Sequence, residues 1–193
     1  MKYINIPASA NEFFVLFHGT GGNEYSLLAV TGDIDPTASV ISFIGEEGTG
    51  KNRRFFKPLV NGQLQRDDFN EKVAGFLTLW DSVKPVNAKV TFIGYSNGAN
   101  FVLGLLEKRP DIAENIVLLH PSNLGYTFEK GSDSRIFLTV GANDALSVPG
   151  DVMKLAKQLT EQFPATALKM LDTGHEVTPV EVQAAAKFLG KAE

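Results

Sequence analysis

Cysteine is absent from this 193-residue chain. Its absence excludes disulfides, thiolate metal sites and a cysteine nucleophile together, and suits a reducing cytoplasm. No apolar run approaches the ~20 residues needed to cross a bilayer, and Met1-Lys2-Tyr3-Ile4-Asn5 lacks a signal-peptide core. Positive charge is in the minority: 18 Lys and Arg stand against 22 Asp and Glu, a net −4 at pH 7. No basic face then offsets nucleic-acid phosphates. Histidines number three, with no histidine or cysteine cluster in the sequence to hold zinc, so neither a metal nor a cofactor is expected. Internal repeats and low-complexity segments are also missing. These exclusions leave a cytoplasmic protein, monomer or homodimer, whose partner is a small molecule and which has no membrane span. The length suits one domain over residues 1–193.

The apolar segments that are present alternate between two lengths. Glu12–Phe17, Ser39–Ile44, Ala88–Ile93, Ile116–Leu119, Arg135–Val140 and Thr166–Leu171 are short, rich in β-branched and aromatic residues, and mostly continuous in apolarity. That is the pattern of strands buried on both faces. Tyr3–Ile6, ended by Pro7, reads as an edge strand. Between them lie helical stretches. Asn23 is placed to cap a short one through Val30, and Asp67 or Asp68 one running to about Val83. Pro149 opens a helix through Gln162, and Pro179 opens the last, through Leu189. Residues 45–66 show no periodicity and read as an extended loop. The alternation predicts an α/β fold: a doubly wound, mostly parallel sheet of about seven strands with helices on both faces and no separate lid domain. In such sheets the loops at the carboxyl ends of the strands carry the site.

One of those loops is Gly94-Tyr95-Ser96-Asn97-Gly98, between a predicted strand and a predicted helix. A serine on so tight a turn needs residues without side chains two positions before and two after it, and Gly-x-Ser-x-Gly provides them. A serine hydroxyl is a poor nucleophile until a neighbouring base takes its proton, and the base works best when an acid orients it. His175 follows the last strand and Asp144 ends the strand before, so the order is Ser96, Asp144, His175. Asp133 precedes its strand, Asp151 falls in a helix turn, and Asp172 is too near His175 in sequence to reach its far nitrogen. An oxyanion needs two fixed donors. The backbone N–H of Asn97 is one, and the Thr20 N–H, in His18-Gly19-Thr20-Gly21-Gly22, is assigned as the other. His18 is expected to hold that loop by hydrogen bonding. Phe55 and Phe56 are candidates for an apolar pocket wall.

These segments resemble the α/β-hydrolase superfamily, in particular its small carboxylesterase/phospholipase-like group and, most nearly, the MhqD-like hydrolases. The resemblance runs over nearly the whole chain. It rests on Leu16–Gly22, Arg54-Phe55-Phe56, Ile93–Asn100, Gly141-Ala142-Asn143-Asp144 and Gly174-His175. It implies a serine esterase with the triad and oxyanion donors named above. His120-Pro121-Ser122-Asn123 departs from the pattern expected after the fifth main strand, which bears on pocket shape.

Two other classes compete. Gly45-Glu46-Glu47-Gly48-Thr49-Gly50-Lys51-Asn52 nearly spells a phosphate loop, but Asn52 stands where a hydroxyl belongs and no helical stripe follows. A hydrolase fold used as a binding or sensor module commonly lacks a triad member, and here all three are in order. The expected activity is therefore cleavage of small or medium carboxylic esters through an acyl-enzyme on Ser96. Thioesters and lactones remain open to the same machinery.

Overall fold

Seven strands form one sheet in this computed structural model, which describes residues 1–192. They are β1 (Lys2–Ile6), β2 (Glu12–Phe17), β3 (Ser39–Ile44), β4 (Lys89–Tyr95), β5 (Asn115–Leu119), β6 (Arg135–Gly141) and β7 (Thr166–Leu171). Their spatial order is β1-β3-β2-β4-β5-β6-β7. Only β1 is antiparallel, pairing with β3 at the edge, and every other pairing is parallel. The helices are α1 (Leu28–Ile34), α2 (Arg66–Val83), α3 (Asn97–Lys108), α4 (Pro149–Gln162) and α5 (Pro179–Phe188).

Alternate strand residues feed two cores. Val15, Phe17, Phe43, Phe92, Leu118 and Leu138 face α2, α3 and α4, while Phe14, Leu16, Val40, Ile93, Val117 and Phe137 face α1 and α5. Burial on both faces is why the central strands read as continuous apolar runs. The helix α3 is apolar nearly all round, from Ala99 to Leu106, because it lies between the sheet and α2.

Helix starts differ from the sequence expectation at two places. Asn23 caps no helix: its Oδ1 accepts the Tyr25 N–H at 2.9 Å in a local turn, and α1 begins only at Leu28. Asx turns of this kind compete with helix nucleation. Helix α2 has no side-chain cap. Asp68 instead accepts the Lys57 N–H at 2.9 Å, pinning the long loop before it. That loop is also more ordered than its composition suggests, with a short 3₁₀ turn at Gly50–Asn52 and a bridge from Glu47 to Arg54.

Lys191, just after α5, is held electrostatically. Lys191 places its Nζ 2.6 Å from both Glu12 Oε2 and Asp35 Oδ2. Burial would raise the Asp35 carboxyl, but hydrogen bonds from Lys191 and Thr37 overcome it and lower the carboxyl from 3.8 to about 2. A lowered acid stabilises the fold above its unfolded value and loses that contribution as pH falls through its folded one. Lys191→Met should therefore cost about 1 kcal/mol at pH 7. The difference from the parent should close between pH 4 and pH 2, as read by chemical denaturation across that range. An unchanged gap at pH 2 would place the effect in packing rather than charge.

Candidate active site

Ser96 sits at the junction of β4 and α3 with φ 51° and ψ −112°, a left-handed conformation rare for a residue with a side chain. Such a conformation costs on the order of 1–3 kcal/mol and persists only where its surroundings hold it. The surroundings are close backbone. A Cβ on Gly94 would lie 2.7 Å from the Ala99 nitrogen, and one on Gly98 would run into the Phe17 carbonyl. The Ser96 N–H donates to the Leu119 carbonyl at 2.8 Å, tying the turn to β5. Helix α3 then pins two loops. Asn97 Oδ1 accepts the Phe55 N–H and Asn100 Oδ1 accepts the Ser122 N–H, each at 2.8 Å.

The loops after β6 and β7 are stitched together by Ala142 N–H to Leu171 O at 2.7 Å and Asn143 N–H to Thr173 O at 3.0 Å. They carry Asp144 and His175 to the serine. His175 Nε2 lies 2.8 Å from Ser96 Oγ, and its Nδ1 lies 2.8 Å from Asp144 Oδ2. Asp144 Oδ1 accepts the N–H groups of Leu146 and Ser147, both at 2.8 Å. Burial alone would raise this carboxyl. The Ser147 N–H, the two histidines His175 and His120, and the Leu146 N–H outweigh it and hold Asp144 below its ordinary range. The Tyr95 hydroxyl donates to the His175 carbonyl at 2.9 Å and steadies that loop. The rival acids lie elsewhere: Asp172 accepts from Asn143 at 3.3 Å, and Asp151 pairs with Lys154 at 2.9 Å.

His120, read in sequence only as a departure in a polar loop, is completely buried in this network. Its Nδ1 lies 2.9 Å from the same Asp144 Oδ2, and its Nε2 lies 3.2 Å from Glu181 Oε2. The expectation of no histidine cluster is thus corrected: among the described residues His120, Asp144 and His175 hold their ligand-type atoms within 4.8 Å of one another. They converge because β5, β6 and β7 are adjacent and their carboxyl-end loops meet. The spacings are those of N–H···O bonds, and we read the cluster as a hydrogen-bonded chain, not as metal ligands. The one signal for His120 in the sequence was its place just past the end of a predicted strand.

Thr20 and Asn97 flank the serine, and neither backbone N–H donates to an acceptor among the described residues. His18 holds the Thr20 loop. Its Nε2 accepts the Gly45 N–H at 3.0 Å while its Nδ1 contacts the Gly19 carbonyl at 2.7 Å, so the ring is neutral with the proton on Nδ1. Burial, the largest influence, lowers its basicity accordingly.

No family model matches the chain. It is 27% identical to the hydrolase-named protein MhqD of Bacillus subtilis, over 198 aligned residues covering 100% of this chain and 99% of that one. Among solved structures, the carboxylesterase of Bacillus cereus is 28% identical, with a TM-score of 0.85 over 100% of this chain and 95% of its own. The carboxylesterase of Mesorhizobium loti superposes with a TM-score of 0.87 over 95% of this chain and 90% of its own, at 23% identity, a likeness of fold. The chain has the α/β-hydrolase fold.

In this α/β-hydrolase fold the serine opens into a cavity of about 380 Å³ lined by Thr20, Arg54, Phe56, Tyr95, Leu124 and Leu146, among others. Phe56 is part of that wall. Phe55, expected beside it, is not: its ring is 1% exposed and stacks on Phe101 at 5.2 Å, inside the core. Both rings are buried in one core, and of the two only Phe56 also reaches the cavity. The Arg54 guanidinium lies 3.3 Å from Thr20 Oγ1 at the rim. A second cavity of about 610 Å³, between α1 and α5, shares Thr20 and Tyr95 with the first.

The steric demand at the turn is testable apart from activity. Gly98→Ala should destabilise the protein by about 3 kcal/mol or more, a fall in Tm of roughly 6–12 °C. Gly75→Ala, in α2 with nothing within 4 Å of its added Cβ, should be neutral or stabilising by up to ~1 kcal/mol. Equal Tm values for the two variants would contradict the packing described.

Proposed function

We propose that the chain is a serine carboxylesterase that cleaves small or medium esters through an acyl-enzyme on Ser96. The observation that carries this is the contact sequence Ser96 Oγ, His175, Asp144, with two 2.8 Å links, beside two free N–H donors. The names of the relatives, a hydrolase and carboxylesterases, support ester hydrolysis but say nothing of residue roles here.

In the first half-reaction His175 Nε2 takes the Ser96 proton as Oγ bonds to the ester carbonyl carbon. The Asp144 carboxylate holds Nδ1–H and balances the imidazolium that forms. Charge gathers on the carbonyl oxygen, which the N–H groups of Thr20 and Asn97 receive without reorganising. Collapse expels the alcohol, which takes the proton from His175 Nε2, and leaves the acyl group on Ser96. Water then enters, gives a proton to the same nitrogen as its oxygen bonds to the acyl carbon, and the bond to Oγ breaks as Ser96 takes that proton back and the acid leaves. The 380 Å³ cavity suits a short or medium acyl group, with Phe56, Leu124 and Leu146 as its apolar wall.

Ser96→Ala should lower kcat by on the order of 10⁴ to 10⁶ in a folded protein, and an organophosphonate should label Ser96 alone, as read by peptide mass spectrometry. Labelling at another residue, or turnover retained by the alanine variant, would overturn the assignment. Asp144→Asn should cost about 10²- to 10⁴-fold in kcat, because the imidazole loses its orienting anion; Asp172→Asn should be nearly silent. Exhaustive dialysis against EDTA should leave the hydrolysis of p-nitrophenyl esters unchanged, and activity returning only with added metal would require a different mechanism.

A further inference from the structure

The oxygen that orients His175 is shared. Asp144 Oδ2 receives His175 Nδ1 at 2.8 Å and His120 Nδ1 at 2.9 Å. Beyond His120 lies a second buried carboxylate, Glu181 of α5, also 0% exposed. Glu181 accepts the Thr139 hydroxyl on Oε1 and the Thr178 N–H at 3.3 Å on Oε2, and His120 Nε2 lies 3.2 Å from that same Oε2. Where both carboxylates accept, a ring lying between Asp144 and Glu181 donates from both nitrogens.

The backbone at His120 carries an independent mark. Its φ is 50°, left-handed like that of Ser96 and again at the carboxyl end of a central strand. The site is built to hold that conformation. The His120 N–H donates to the Thr139 carbonyl at 3.2 Å, and its carbonyl accepts the Ser147 hydroxyl at 2.7 Å. Strain of this kind on a completely buried polar residue is expensive to keep without a role.

We propose, on the reading of Ser96, His175 and Asp144 given above, that His120 is a positioning residue: an imidazolium held between Asp144 and Glu181 that fixes the Asp144 carboxylate and tempers its pull on the His175 proton. The titratable groups facing it are Asp144 from the loop after β6, Glu181 from α5, His175 at 5.2 Å between ring centroids and Tyr95 edge-on at 6.1 Å. Burial opposes charge on the His120 ring, but the hydrogen bonds and attraction of Glu181 and then Asp144 prevail and raise its basicity. Tyr95 remains a neutral phenol, since burial and the nearby carboxylates raise it. The buried set Asp144⁻, His120⁺ and Glu181⁻ carries one net negative charge in the resting enzyme. It is neutralised when His175 takes the serine proton, the moment at which an orienting charge is needed. A cation on the shared oxygen also keeps His175 from holding a proton too tightly to start the reaction.

Three histidines make the protein tractable by ¹⁵N NMR of labelled imidazole. One ring should show imidazolium shifts on both nitrogens at pH 8 in the native enzyme, and that signal should be missing in His120→Gln. Glu181→Gln keeps the shape, and its amide can serve the same helix start. There the His120 ring should become neutral while still donating to Asp144. Loss of the nearer cation outweighs loss of the farther anion, so the acid limb of kcat/KM should rise by about one pH unit. In His120→Gln kcat should fall roughly 10- to 100-fold with KM little changed. Three neutral rings at pH 8, or a Glu181→Gln profile overlaying the parent's, would overturn the proposal. The NMR result stands whether or not Ser96 is the nucleophile, which phosphonate labelling decides separately, and it stands if His120→Gln fails to fold.

Discussion

The approach of α3 to the carboxyl ends of β2 and β4 is the constraint on which the rest of the molecule depends. It is possible only because Gly94 and Gly98 have no side chains: each added Cβ would meet backbone, at Ala99 or at Phe17. Backbone cannot rotate aside as a side chain can, so the glycines set the distance between helix and sheet. That distance forces Ser96 into its left-handed turn, points its hydroxyl out of the sheet and leaves the first N–H groups of α3 unpaired beside it. The same helix then holds the Phe55 and Ser122 loops through Asn97 and Asn100.

Around this junction the polar groups form a single line across the carboxyl edge of the sheet. It runs from Ser96 through His175, Asp144 and His120 to Glu181, and each link joins a loop or helix that follows a different strand. Two carboxylates and two imidazoles buried together are costly unless each is matched. Here each nitrogen in the line meets an oxygen. The matching also explains why Glu181 occupies the first turn of α5: it closes a capping box with Thr178 and terminates the line. One side chain thereby serves helix formation and site electrostatics.

The two apolar cores on either side of the sheet give this line its rigidity. Phe17 and Phe92 pack under the junction within an aromatic cluster that includes Phe43, Phe55, Phe76 and Phe101. Close packing of that kind transmits small displacements rather than absorbing them. Pocket and scaffold therefore meet in one side chain: Phe55 and Phe56 both belong to the core, and Phe56 also forms part of the cavity wall.

Strands, their order of appearance and the strand-turn-helix at Ser96 are legible in the sequence because they depend on local chemistry. Apolar runs buried on both faces, proline at the first turn of α4 and α5, and paired glycines two residues either side of a serine act within a few positions. The order Ser96, Asp144, His175 follows from the same logic, since each residue ends or follows a strand that the pattern already marks. What only the tertiary structure decided lies across long separations. His120 meets Asp144 across 24 residues and Glu181 across 61, and nothing near any of the three announces the other two. Asn23 and Asp68 carry the residue types of helix caps, yet one closes a turn on itself and the other takes a distant N–H from Lys57. A short polar side chain bonds whichever donor the fold brings within about 3 Å, and the sequence names the side chain without naming the donor.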